Sequence, residues 1–246
     1  MSTLQRHWDA RAAANFMLGG AGSGLLVCSL FLKEALPVLI GLALVAAGLA
    51  AVWLEIGRKL RAVHVFFNPF TSWMTRESFC AALLFGFGLA FLLLDEKSFL
   101  YGTTAAAAAF LYCQGRILRA AKGIAAWRVP EVVALIVSTG LAEGLGLALF
   151  FTRGDAALAL FGLALVARLL AWRRYRAAAK VPALESPGRA LTWLGTAAPL
   201  ALAYFAPPLA GLLALAAGGW LKLALVTRAS FKQEFSLPHL PVRGTR

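Results

Sequence analysis

The sequence predicts an all-α polytopic membrane protein: eight transmembrane helices in one bundle, with both termini in the cytoplasm. Three observations lead there. Of its 246 residues 61% are hydrophobic and 14% charged, whereas a soluble domain is roughly half apolar and about a quarter charged. Apolar runs of about 20 residues recur along the chain, each long enough to cross a bilayer as a helix. All but three of the 24 Lys and Arg residues collect at one set of run ends.

The expected spans are 12–32, 35–56, 76–94, 99–119, 130–151, 155–173, 189–206 and 208–227. The first run is followed at once by the second, so it reads as a retained span rather than a cleaved leader. Its glycine cluster, Gly19 to Gly24, is not a phosphate loop, because no strand precedes it and it lies within a span. Gly20-x-x-x-Gly24 and Gly140-x-x-x-Gly144 read instead as small-residue faces that let helices approach closely.

Orientation follows from charge. Arg6 and Arg11 precede the first span. Arg58, Lys59, Arg61 and Arg76 flank the second connection, and Arg116, Arg119, Lys122 and Arg128 the fourth. Arg168, Arg173, Arg174, Arg176, Lys180 and Arg189 flank the sixth, and Lys222, Arg228, Lys232, Arg243 and Arg246 lie toward the C-terminus. The opposite side has only Lys33, Lys97 and Arg153. The positive-inside rule puts the rich side in the cytoplasm. The net charge of +13 is therefore mainly a topology signal. Nucleic acid is excluded as a partner, since the basic residues sit at helix ends rather than on a soluble binding face.

Two patterns decorate that side. Arg58-x-x-Arg61-Ala62 recurs as Arg116-x-x-Arg119-Ala120 and Arg173-x-x-Arg176-Ala177. These are either snorkelling basic stops or a ring that docks a soluble partner. All seven Trp belong to the same side: Trp8, Trp53, Trp73, Trp127, Trp172, Trp193 and Trp220. They read as an interfacial belt or as a protein interface, where Trp and Arg are enriched.

The chemistry must come from few residues. Cys28, Cys80 and Cys113 are single cysteines in three different spans, whereas an iron–sulfur cluster needs clustered thiolates. His7, His64 and His239 all lie outside the spans, so no axial pair for haem is expected. With no haem, cluster, metal, flavin or nucleotide motif, a redox role requires a diffusible carrier. Glu143 lies about 13 residues into the fifth span, roughly 20 Å along its helix. Charge at such depth marks a cavity, a proton route or an ion path, or else a protonated, hydrogen-bonded side chain. Glu77 opens the third span, where an acid also suits a helix N-terminus. Glu55 enters a helix C-terminal turn, where the dipole disfavours an anion. The polar chemistry is concentrated between Trp53 and Glu77, where membrane meets water.

Within that stretch Ile56-Gly57, Arg61-Ala62, Ser72 and Glu77 match a two-part pattern, H-L-G-x-x-x-R-A followed by S-x-x-x-x-E. On these residues, the glycine-rich first span from Asn15 to Gly24 and the tail Phe235 to Gly244, the chain resembles the membrane-anchor subunits of molybdenum oxidoreductases, the dimethyl-sulfoxide reductase anchor family. The family histidine is replaced by Glu55. The resemblance implies an eight-span anchor in a bacterial inner membrane. Its partners would be an iron–sulfur subunit with four clusters and a molybdenum catalytic subunit. Its substrate would be a quinone, ubiquinone or menaquinone, bound non-covalently. Glu77 matches the acidic residue of the family's quinone pocket. Asn15, Glu55, Arg61, His64, Phe66, Ser72, Trp73 and Arg76 are the further candidates for that pocket, with Glu143 on a proton path. The docking face would be cytoplasmic, and among such relatives the chain looks most like anchors of complexes that oxidise phenylacetyl-CoA to phenylglyoxylate. Residues 228–246, with Pro238 and Pro241, are expected to form an extended strap on the iron–sulfur subunit. The alternative is a small secondary transporter with Glu143 as coupling site.

Overall fold

The structure is a computed structural model that describes residues 3–5, 8–56 and 59–232, without the side chains of Thr3, Lys59, Leu60, Arg61 and Lys232. The Arg61 side chain, Gly57, Arg58, His7, His239 and the strap at 233–246 therefore lie outside the described residues.

The chain is helical nearly throughout. In order come strand β1 (Thr3–Leu4), helix α1 (Ala10–Leu32), α2 (Ala35–Glu55) and a 3-10 segment (Lys59–Phe67). Next are α3 (Trp73–Leu94), α4 (Ser98–Ala120), the single turn α5 (Ala125–Arg128), α6 (Glu131–Ala148) and α7 (Asp155–Ala179). The chain closes with α8 (Glu185–Thr192), α9 (Ala198–Leu202), α10 (Pro207–Thr227) and strand β2 (Phe231–Lys232).

Six of these helices, α1, α2, α3, α6, α7 and α10, are long and apolar enough to cross a membrane. The two other expected spans are helical but different in kind. α4 has the length, at 23 residues, but carries Thr103, Thr104, Gln114 and Arg116. The 189–206 run is split by a π-helical segment (Trp193–Ala197) between α8 and α9. α7 runs to Ala179, past the expected end at 173. Hydropathy falls at Arg173, Arg174 and Arg176, but those residues are good helix formers and continue the helix beyond the apolar stretch.

α1 and α6 occupy the centre. α1 packs on α2, α4 and α6, and α6 also packs on α4, α7 and α10. The close approach of α1 to α6 depends on the two glycine faces singled out in the sequence. A side-chain carbon on Gly24 would meet the backbone of Gly140 and Gly144, and one on Gly144 would meet Gly24 and Leu25. Small residues drive such contacts where lipid leaves no hydrophobic force between helices. Gly24→Leu should therefore prevent α1 from seating on α6. The expected readout is loss of monodisperse protein on size-exclusion chromatography in detergent; a normal elution profile would show that the crossing tolerates a side chain.

The first and last described segments meet. Thr3 pairs with Lys232 and Leu4 with Phe231 in an antiparallel ladder. Gln5 continues it through its backbone N–H to Ser230 O at 3.0 Å. The start of α1 and the end of α10 thus share one end of the bundle. There an aromatic core forms. Trp8 lies 4.9 Å from Trp127, and the Trp127 indole donates to Leu225 O at 2.9 Å. Trp172 stacks on Tyr175 at 6.0 Å. Trp127 and Trp172 are buried, whereas Trp53, Trp193 and Trp220 are exposed. The tryptophans thus divide between internal packing and exposed positions.

Candidate functional site

α3 leans on α4 and touches α2 only lightly. The gap left between α1, α2, the 3-10 segment and α3 is a cavity of about 780 Å³ at the end of the bundle that carries β1 and β2. Its wall is mostly apolar, and Trp53, Val63, Phe66 and Met74 at its rim are exposed side chains. Such a rim suits an opening toward lipid tails.

Four of the sequence candidates line this cavity: Asn15, Glu55, Phe66 and Glu77. Glu77 is buried at 6% exposure. Asn15 Nδ2 donates to Glu77 Oε1 at 3.3 Å, and the Gln114 amide also faces the carboxyl. No cation is paired with Glu77 among the described residues. Asn15 is positioned by a π-helical segment within α1 (Asn15–Gly19). A π-bulge disturbs the regular ladder and leaves a carbonyl for an outside donor. Here Gln114 Nε2 fills that role, donating to Asn15 O at 2.9 Å. Gly19 makes room for this amide, since a side-chain carbon there would lie 2.7 Å from Gln114 Nε2.

Other candidates face elsewhere. Arg76 donates to Pro69 O at 2.9 Å and Phe70 O at 2.8 Å, which ties the α3 N-terminus to the preceding loop. Trp73 has two guanidinium groups over its ring, Arg76 at 4.2 Å and Arg116 at 4.3 Å from the centroid. Ser72 caps α3, its Oγ accepting from Thr75 N at 3.3 Å. His64 is exposed and edge-on to Phe67 at 5.4 Å. None of these four is in the cavity wall. The cause is helical rotation: positions 74, 77, 78 and 81 share one face of α3, while 73, 76 and 80 share another.

A second polar cluster lies deeper. Glu143 on α6 accepts from Lys222 Nζ on α10 at 2.6 Å, with both side chains 1% exposed. Arg168 on α7, fully buried, donates to Ala214 O at 3.0 Å and to Gly195 O. Gly195 belongs to the second π segment, so each π-helical segment is met by a buried polar side chain from a neighbouring helix. Sequence reasoning missed Lys222 and Arg168 by counting both as charges at helix ends. The available signal was their register. Phe161, Leu165, Arg168, Trp172 and Tyr175 form one buried stripe of α7, and Gly211, Ala214, Gly218 and Lys222 one of α10. Removing these two residues from the charge count leaves its asymmetry intact.

No protein-family model matches the chain, and no curated protein matches it either.

Proposed function

We propose that this chain is the quinone-reactive membrane anchor of a molybdenum and iron–sulfur oxidoreductase complex, passing electrons from the iron–sulfur subunit to membrane quinone. The observation that carries the reading is a buried carboxyl and a carboxamide, Glu77 and Asn15, set into the wall of a large apolar cavity at the end of the bundle. Ligand cavities of this size, lined by apolar groups with a few polar ones, are the usual form of small-molecule sites.

The residues fit a quinone. Phe16, Phe66 and Trp53 supply apolar and aromatic wall for a ring. Asn15 Oδ1 is buried without a hydrogen-bond partner, while its Nδ2 and a protonated Glu77 are donors suited to a carbonyl oxygen. A quinone, when bound, supplies a two-electron, two-proton couple. The protein's part is to hold the ring, exclude water and keep a proton at Glu77 within hydrogen-bond reach. Arg76 is engaged elsewhere, so any cation beside the ring comes from another residue.

In this reading the bundle crosses a bacterial inner membrane eight times, with α4 and the α8–α9 segment completing the six apolar helices. The termini and the docking face are cytoplasmic, which suits a substrate confined to the cell, such as the CoA thioester phenylacetyl-CoA. Cysteine labelling tests the orientation. A cysteine introduced beside Lys97 should react with an impermeant maleimide from outside, and one beside Lys122 only after the membrane is opened. The reverse pattern would move the complex to the outer face and exclude a CoA thioester.

The buried Glu143–Lys222 pair is the observation that favours a secondary transporter with Glu143 as coupling site. Glu143 does not line the large cavity, however, and its ion partner is already present within the chain. Purification separates the readings: an anchor co-purifies with two soluble subunits, a transporter runs alone.

A further inference from the structure

The two polar clusters are neighbours. A side-chain carbon on Gly20 would collide with Lys222 Nζ and would lie 3.4 Å from Gln114 Oε1. The ammonium and the amide oxygen thus both border the space that the missing Gly20 side chain leaves open. Gln114 reaches the other way to Asn15 O and faces Glu77. Three buried acceptors along this line have no hydrogen-bond partner: Asn15 Oδ1, Gln114 Oε1 and Glu143 Oε1. Orphaned acceptors in a buried site carry a desolvation cost that a native protein normally avoids. Lys222 sits between two of them on a flexible four-carbon stem with three rotatable donors.

We propose that Lys222 is the proton-carrying link between the cavity acid Glu77 and Glu143, its ammonium exchanging between Glu143 and Gln114. One proton moves at each step. Glu77 releases its proton into the cavity. The Lys222 ammonium, turned to Gln114 Oε1, returns one to the Glu77 carboxylate through water held at the unpartnered Gln114 and Asn15 amide oxygens, the amides themselves keeping their protons, and Lys222 recovers one from a proton entering at Glu143. The electrons taken up in the cavity come from the iron–sulfur partner proposed above. The purpose of the chain rests on the quinone reading; its geometry does not.

The charged and titratable groups around the path are few. Glu143 and Arg168 face Lys222 from α6 and α7, Cys80 and Cys113 adjoin Glu77 from α3 and α4, and Arg76 lies near Cys113. Glu55 lies on the cavity wall at the end of α2. Arg168 is held by two backbone carbonyls, and an arginine stays protonated in proteins. It therefore fixes the local charge and does not carry the proton.

Infrared pH-difference spectra of the full chain, purified with whatever partners accompany it and placed in nanodiscs, test this. Bands lost in Glu77→Gln and in Glu143→Gln identify the two carboxyls. The two should titrate over the same pH interval in the wild type, and the Glu143 change should vanish in Glu77→Gln. Lys222→Arg keeps the charge but cannot release a proton, so it should retain the fold and separate the two titrations. Gln114→Leu should separate them as well. Independent titration in the wild type, or coupling that survives Lys222→Arg, would overturn the proposal. Binding of a short-chain ubiquinone, followed by quenching of Trp fluorescence, is scored separately. Its absence beside coupled carboxyls would sink the quinone reading and leave the relay standing.

Discussion

Glu77→Gln should leave the proposed complex assembled and slow its proposed electron transfer to quinone by an order of magnitude or more, the low end of what a positioned acid or base contributes. The glutamine keeps the size of the side chain and can still meet Asn15 Nδ2, which lies 3.3 Å from Glu77 Oε1. What it loses is the transferable proton. Few neighbouring groups can substitute, because the cavity wall around Glu77 is mostly apolar and its other carboxyl, Glu55, belongs to a different helix, α2. The measurement is the rate of quinone reduction by the purified complex, with subunit content checked on the same sample. Unchanged reduction in an assembled mutant would remove Glu77 from the chemistry, and with it the main support for the cavity as the quinone site.

The long apolar runs were legible because their lengths and compositions match a bilayer, and the glycine faces because small residues at four-residue spacing have few other uses in lipid. Glu77 and Glu143 stood out as carboxylates where apolar neighbours make a charge costly. Which residues share a cavity was harder to see. Trp73, Arg76 and Glu77 are close in sequence, but the rotation of α3 sends Glu77 into the cavity, Trp73 toward Arg116 on α4 and Arg76 back to the preceding loop. Hydropathy alone does not encode that rotation; it is set by α3 packing on α4. The π segment at Asn15 was invisible for a related reason. Nothing in Asn15 to Gly19 specifies an extra residue per turn, and the carbonyl it frees is satisfied by Gln114, far away in sequence.

Lys222 illustrates the same limit with larger energetic consequences. Five residues from the end of α10, a lysine reads as a snorkelling inner-end charge. In the fold it turns inward, because Gly218 and Gly20 leave space beside Glu143 and no side chain fills it. Lys222→Met should therefore be severely destabilising. It leaves Glu143 without its ion partner inside the bundle, a loss of about 3–5 kcal/mol when one partner of a buried pair is removed. That corresponds to a fall in melting temperature on the order of 10 °C for a chain of this size. Glu143→Gln alone should cost a similar amount by stranding the ammonium beside Arg168. The double variant Lys222→Met/Glu143→Gln removes both charges together and should recover most of the loss, since a neutral replacement of a buried pair is often close to neutral in stability. Thermal unfolding of the four proteins in one detergent gives the coupling energy directly. Additive losses in the double variant would show that the 2.6 Å contact contributes no pairwise stabilisation.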